Sequence, residues 1–213
     1  MKSGPLSNLL ASATIAAAVL VPANPGRAAD DKDKTTTTTR TGTYTTSKGG
    51  SGTTSSVTTR ANGTVERKGT WTNASGGTGT VHSQRTWNKS SQTANLSGSA
   101  TRPNGATTSW QGTAVRTAPG SVSSQGTITT ANGKQDTFTS TDTKVAPGTW
   151  EKQQVITTAG GKTIDRSVDT TVVGGKGTRV VTTTLPNGQT VTRDASFNQT
   201  VTQSPAPPAA PSN

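Results

Sequence analysis

The chain has 213 residues, a net charge of +11 and an apolar fraction of 26%, against roughly 45–50%, glycine included, in an average globular domain. Threonine, serine and glycine replace the missing apolar residues, which argues against a thick two-layer core. The absence of cysteine excludes disulfide bonds and thiolate metal sites. The positive charge favours anionic partners, but the basic residues are scattered singly, as is typical of a solvated surface, and we do not expect nucleic acid to be the partner.

The N-terminal segment has the pattern of a secretory signal peptide. Lys2 precedes an apolar stretch, Leu9–Val21, that is too short for a comfortable membrane span. We expect cleavage between Ala23 and Ala29, and a secreted, periplasmic or cell-surface protein that does not span the membrane after cleavage. The predicted segments are a signal peptide at 1–29, a low-complexity leader at 30–39, a β-repeat domain at 40–203 and a disordered Pro/Ala-rich tail at 204–213.

Turn signals then recur about every 14 residues, and every second one is especially alike, which indicates a repeat unit of about 28 residues. Asn-Gly and Gly-Gly pairs supply the positive φ angles that tight hairpins need. The segments between them are rich in β-branched residues and lack helical periodicity. The sequence therefore predicts an all-β, up-and-down antiparallel meander of about 12 strands. The turns lie at Gly49-Gly50, Asn62-Gly63, Gly76-Gly77, Ser90-Ser91, Asn104-Gly105, Pro119-Gly120, Asn132-Gly133, Pro147-Gly148, Gly160-Gly161, Gly174-Gly175 and Asn187-Gly188.

The strand register follows if most loops are three residues long and one loop, at Asn187-Gly188, is two residues long. Neighbouring strands then bring rings against aliphatic side chains or glycine, and opposite charges together. In this register no two acidic side chains face each other. The predicted pairs are Gly98–Trp110, Trp110–Ile128, Gly112–Gly126, Gly126–Phe138, Phe138–Ile156, Ile156–Ile164, Asp142–Lys152, Trp71–Val81 and Val65–Trp87.

One face of the predicted sheet collects every Trp and Phe together with many arginines, and the other face is mostly threonine and serine. Arginine at the lipid-facing surface of a membrane barrel would cost roughly 2–4 kcal/mol per residue near the midplane, which argues against an outer-membrane barrel. Two arrangements remain open. The sheet can roll into a flattened barrel with the aromatic face inside, or it can stay an open single layer whose edges pair with other copies.

The sequence contains no pattern of residues that predicts catalysis, a cofactor or a metal. His82 is the one histidine, and its strand neighbours point to the opposite face. Asp165 and Asp169 lie about 13 Å apart along a strand, too far for paired glycosidase carboxylates. We therefore expect a protein that is not an enzyme. The candidate ligand-binding face consists of Trp71, Trp87, Trp110, Trp150, Arg67, Arg85, Arg166 and Arg193.

The phrases "PNGQTVTR" and "ANGTVERKGTW" resemble Thr/Gly-rich repeats of exported bacterial proteins, and the resemblance covers roughly residues 40–200. It implies no known activity and no functional residue. The sequence favours a structural or adhesive role in the cell envelope or the extracellular space, with cell-wall polysaccharide or self-association through strand edges as candidate interactions. The alternative is a module that binds carbohydrate or a polyanion with its Trp and Arg face.

Overall fold

The computed structural model describes residues 34–205, which form a closed barrel of twelve antiparallel strands. Each strand pairs with its neighbours in sequence, and β1 closes against β12. The predicted meander is confirmed, in its barrel form. The strands are β1 Lys34–Thr46, β2 Ser51–Ala61, β3 Thr64–Asn73, β4 Thr78–Asn88, β5 Thr93–Thr101, β6 Thr107–Ala118, β7 Ser121–Thr129, β8 Gln135–Ala146, β9 Thr149–Thr157, β10 Thr163–Val173, β11 Lys176–Thr184 and β12 Thr190–Pro205.

The predicted signal peptide and most of the predicted tail lie outside the described residues. Strand β1 begins at Lys34, so the threonine run that composition assigned to the leader forms the first half of a strand. Between residues 34 and 205 no helix is long and apolar enough to cross a membrane.

The turns show why glycine recurs at a fixed interval. At the β5–β6 turn, the Arg102 amide donates to the Ala106 carbonyl at 2.9 Å, and the Gly105 amide donates back to the Arg102 carbonyl at 2.9 Å. Gly105 has a φ of +81°, in the region that glycine adopts at low cost. Each such turn reverses the chain, and its spacing fixes the strand length.

Seven of the nine predicted cross-strand pairs are confirmed, from Gly98–Trp110 to Asp142–Lys152. The other two are wrong by two residues, because Trp71 lies opposite Gly79, and Val65 lies opposite Arg85. The turn runs from Asn73 to Gly77 with Gly76 at its positive-φ position, so it is centred earlier than the Gly76-Gly77 pair suggests. The Asn73 Oδ1 also accepts from the Gly77 amide at 2.8 Å. A shift of two residues keeps each side chain on its predicted face.

The loop at Asn187-Gly188 also differs from the prediction. The Leu185 amide donates to the Gln189 carbonyl at 2.8 Å across a loop of three residues that starts with Pro186. Two-residue connections occur instead at Gly174-Gly175, where Val173 pairs with Lys176, and at Asn62-Gly63, where Ala61 pairs with Thr64. The differences at Gly174-Gly175 and Asn187-Gly188 compensate, so β12 keeps its predicted face. Strands β11, β2 and β1 face the opposite way from the one that the predicted loop lengths give.

The apolar core lies along one side of the barrel, between β4 and β10. Trp110 is 6% exposed, and its ring covers Gly98, where a Cβ atom would lie 2.0 Å from Cζ2 of the indole. Phe138 packs over Gly126 in the same way. The buried members of this core are Val81, Ala94, Leu96, Ala100, Trp110, Ala114, Val122, Ile128, Phe138, Ile156 and Ile164.

Closure removes one predicted interaction. Every strand from β1 to β12 is hydrogen-bonded on both sides, so the described part of the chain has no free edge along which a second copy could pair. The expectation of self-association through strand edges is therefore wrong for the closed barrel.

Candidate anion-binding lumen

The two faces of the sheet become the inside and the outside of the barrel. All the aromatic residues of the chain lie at inward positions, and the positions between them face outward. This confirms that the rings share one face, and it places that face inside. The inward rings are Tyr44, Trp71, Trp87, Trp110, Phe138, Trp150 and Phe197.

Arginines line the other half of the lumen. Seven strands that are consecutive around the barrel, from β10 through β12 and β1 to β4, each place one arginine at an inward position. We call this set the arginine ladder. In sequence these residues are scattered singly, and only closure of β1 against β12 makes the row continuous. The ladder consists of Arg166, Arg179, Arg193, Arg40, Arg60, Arg67 and Arg85.

Rings and neutral polar groups hold several of these guanidinium groups. The Arg40 Nε donates to Gln199 Oε1 at 2.8 Å, and Arg60 Nη1 donates to Thr38 Oγ1 at 3.4 Å. Such contacts orient a guanidinium group but do not neutralise it. The ring contacts, measured from Cζ to the ring centroid, are Arg40–Phe197 at 5.0 Å, Arg85–Trp87 at 5.5 Å and Arg193–Tyr44 at 3.7 Å.

A single carboxylate, that of Asp142, lies near the middle of the lumen among the described residues. Its Oδ2 is 3.1 Å from Nζ of Lys152, and the side chains are 10% and 2% exposed. The other inward acid, Asp136, lies at the start of β8 and accepts from the Ala159 amide at 2.8 Å. The ladder and Lys152 therefore bring eight cationic groups to the lumen, against one carboxylate near its middle, that of Asp142.

Burial, and after it the neighbouring positive charges, lowers the pKa values of several ladder arginines. Burial, followed by the charges of Arg179 and Arg40, lowers the pKa of Arg67 to about 9. Burial, with Arg60 as the next cause, lowers the pKa of Arg40 to about 10. Burial lowers the pKa of Arg85 and of Arg179 to about 10 as well. All four groups stay protonated at pH 7, so the lumen keeps its charge.

Two cavities lie within the ladder. One, of about 60 Å³, is bordered by Arg40, Arg60, Arg67 and Arg85 on one side and by Asp142, Lys152 and Trp110 on the other. The second, of about 90 Å³, is bordered by Arg40, Arg67, Arg179, Arg193 and the ring of Trp71. Each has room for a few atoms of a ligand or several waters.

All eight residues of the predicted ligand-binding face point into the barrel. Trp71 and Trp110 border the cavities, whereas Trp87 packs against the apolar core. Trp150 lies at the start of β9, and Arg166 is 3% exposed and borders neither cavity. Whether these residues bind a ligand remains a prediction.

Sequence reasoning missed three members of the ladder, Arg40, Arg60 and Arg179. They lie on β1, β2 and β11, whose faces the predicted loop lengths invert, because the loops at Asn62-Gly63 and Gly174-Gly175 have two residues and not three. The two-residue alternation would have found all three arginines only with these loop lengths.

The outward face is polar. It consists mainly of threonine, serine and glutamine, and its large exposed apolar residues are valines. Glu66 lies 3.0 Å from Lys68 and 2.9 Å from His82, and these hydrogen bonds lower the pKa of Glu66. The expectation that no two acids face each other is wrong, because Glu151 lies directly opposite Asp169 on this face. The part of the chain that the structure describes contains no group of acids and histidine suited to a metal.

The prediction against a membrane barrel required the arginine face to meet lipid. In the closed barrel that face lies in the lumen, so the arginines do not exclude a membrane location. The outward threonine and serine face is now the surface whose environment has to be explained.

Comparisons with known proteins support the fold alone. No protein-family model matches the chain, and no curated protein matches it. A solved structure described as KdgM porin is similar, with a TM-score of 0.57 and 8% identity, over 76% of this chain and 98% of that one. A Rhodopseudomonas blastica porin mutant reaches a TM-score of 0.43 at 11% identity, over 70% of this chain and 55% of that one.

Proposed function

We propose that the protein is an exported barrel that binds an anionic ligand in its lumen. The observation that carries this proposal is the arginine ladder, in which eight cationic groups, with Lys152 included, face one central carboxylate. Removing a charge from water costs several kcal/mol per ion unless a counter-charge and hydrogen bonds replace the solvent. A protein that binds no anion would gain stability by exchanging these arginines for neutral residues.

The cavities support the same proposal. The arginines that border them come from six neighbouring strands, so their guanidinium groups converge on two small spaces from different directions. A guanidinium group donates two parallel hydrogen bonds to two oxygens of a phosphate or carboxylate. Arginine is therefore the usual residue that binds these groups. Trp71 and Trp110 border the spaces and provide an optical signal of occupancy.

A pore in the outer membrane is the second candidate function, suggested by the similarity to a porin structure. The outward face argues against it. A membrane barrel needs a continuous apolar band about 25 Å tall with aromatic girdles at both interfaces. Here every ring of the chain faces inward, and Lys68, Glu151 and Asp169 interrupt the outer surface. We therefore place the barrel in water, within the envelope or outside the cell.

The location has a direct test. We expect the purified protein to stay in solution without detergent. In a flotation gradient with lipid vesicles, it should remain at the bottom and not rise with the vesicles. Ion conductance across a planar bilayer after addition of the protein, or stability only in detergent, would instead establish the pore. A structural or adhesive role remains as the interpretation if the barrel is soluble and no anion binds.

Two variants of adjacent residues test whether the anion binds in the lumen. Arg67 and Lys68 are adjacent on β3, but Arg67 faces the lumen and Lys68 faces solvent. Arg67→Gln and Lys68→Gln remove one positive charge each, from opposite sides of the same strand. We expect tripolyphosphate to change the Trp fluorescence of the native protein, with affinity falling between 50 and 300 mM NaCl.

Arg67→Gln should weaken this affinity at least about tenfold, the usual effect of removing one partner of a desolvated charge pair. Lys68→Gln should leave the affinity within about twofold of the native value. Equal losses in the two variants would mean that tripolyphosphate responds to net charge alone, and the lumen would not be the site.

A further inference from the structure

A group of buried polar side chains lies beside the cavities, on the far side of Lys152. Ser140, Gln154 and Arg166 are directly opposite one another on β8, β9 and β10, and all three face inward. They are 6%, 2% and 3% exposed. Their polar atoms have no hydrogen-bond partner among the described residues: Ser140 Oγ, Gln154 Oε1 and Nε2, and Arg166 Nε, Nη1 and Nη2.

Such an arrangement is unusual, because buried polar groups in proteins almost always have partners. A water molecule can supply the hydrogen bond for one isolated polar atom. Here six atoms on three adjacent side chains lack partners together, and three of them belong to a guanidinium group. We propose that Ser140, Gln154 and Arg166 form a dry binding site for a small carboxylate, separate from the cavities of the ladder.

The donors match a carboxylate in number and in shape. The guanidinium fork presents two parallel N–H groups to the two oxygens of a planar carboxylate. The Gln154 Nε2 and the Ser140 hydroxyl add donors from the neighbouring strands. The Gln154 Oε1 is an acceptor, and it suits a hydroxyl or amine group carried next to the carboxylate of the ligand.

The charge around the site favours an anion. The charged side chains buried on β8, β9 and β10 are Asp142, Lys152 and Arg166, and Arg179 and Arg193 add positive charge near Arg166. The preference for a carboxylate over a phosphate therefore rests on the planar, buried set of donors and not on the charge balance. We expect the ligand to enter from the side of the 60 Å³ cavity, because Asp142 and Lys152 border that cavity and stand two positions from Ser140 and Gln154 on the same strands.

The test is a titration of the purified full-length protein, dialysed into Tris chloride, with formate, acetate and glycolate in one arm and with inorganic phosphate in the other. Thermal unfolding and calorimetry provide the affinity. We expect carboxylates to raise the unfolding temperature. A rise with phosphate reports binding at the ladder and should fall in Arg67→Gln. Arg166→Gln should raise the carboxylate Kd at least about tenfold. Lys162→Gln, which removes an exposed cation just before the same strand, should leave it unchanged.

A second variant keeps the test independent of folding defects. Ser140→Ala combined with Gln154→Leu retains the charge of Arg166 and should weaken carboxylate binding severalfold. Arg67→Gln should reduce tripolyphosphate binding but not acetate binding, so this site and the proposed function can fail separately.

Three results would overturn the dry site. The first is a carboxylate affinity that survives in Arg166→Gln, and the second is an acetate affinity that falls in Arg67→Gln as much as the phosphate affinity does. The third is the absence of any carboxylate effect together with an Arg166→Met variant more stable than the native protein, which would show that the guanidinium group is merely tolerated.

Discussion

The buried ion pair of Asp142 and Lys152 gives the sharpest stability prediction. Changing Asp142 to Asn keeps the shape of the side chain and leaves the Lys152 ammonium without its counter-charge, among the arginines of the lumen. At the observed 3.1 Å, the attraction amounts to about 5 kcal/mol at an effective dielectric constant of ~20. Removing one partner of a buried pair typically costs about 3–5 kcal/mol. We therefore expect Asp142→Asn to lower the free energy of unfolding by about 3–5 kcal/mol in urea denaturation.

The exposed pair of Glu66 and Lys68 is the matched control. Its atoms lie 3.0 Å apart, but the side chains are 39% and 70% exposed. Glu66→Gln should therefore cost less than about 1 kcal/mol. A similar loss in the two variants would refute the claim that burial gives the Asp142 pair its strength.

The pH dependence provides a second assay for the same variant. Burial lowers the pKa of Lys152 below its ordinary 10.5, and Asp142 partly restores it. In Asp142→Asn the folded-state pKa falls further, so the unfolded chain binds more protons between that pKa and 10.5. The difference in unfolding free energy between the native protein and Asp142→Asn should therefore become smaller as the pH rises from 7 towards 10. A deficit that stays constant over this range would contradict a buried, charged Lys152.

Two glycine substitutions test how the barrel wall is built. Gly98→Val should destabilise the fold by more than about 3 kcal/mol and change the Trp110 emission, because a Cβ would lie 2.0 Å from the indole and 2.5 Å from the His82 carbonyl oxygen. Gly133→Ala has open space around its Cβ but a φ of +78°, so it should cost only about 1–2 kcal/mol by chemical denaturation, from backbone strain alone. Equal losses at the two sites would mean that ring packing on Gly98 contributes nothing.

Much of the fold could be predicted because its determinants are local. A turn tripeptide sets each hairpin, and the two-residue alternation then assigns every side chain to a face. The register failed where the position or the length of a turn was misjudged, at Gly76-Gly77, Asn62-Gly63, Gly174-Gly175 and Asn187-Gly188. Closure was left open because it depends on pairing between β1 and β12, which are far apart in sequence and carry no turn signal to mark their partnership.

The candidate site was only half predictable for the same reason. Arg67 and Arg85 could be assigned to a face with Trp71 and Trp87 from neighbouring strands. Arg40 stands beside the threonine run, where composition suggests a leader. Its membership of the ladder follows only from the register of β1 against both of its neighbours, β12 and β2.

The placement of the rings links the fold to the proposed environment. Twelve antiparallel strands can close into the same barrel in lipid or in water, because closure satisfies every backbone hydrogen bond in either medium. In lipid, apolar and aromatic side chains must face outward, which leaves the lumen to polar groups and water. In this chain the core aliphatics occupy one side of the lumen, the rings lie on both sides of it, and threonine covers the outside. The interior thus serves both as the hydrophobic core and as the site of the arginine ladder, so a ligand that neutralises the ladder should stabilise the barrel as a whole.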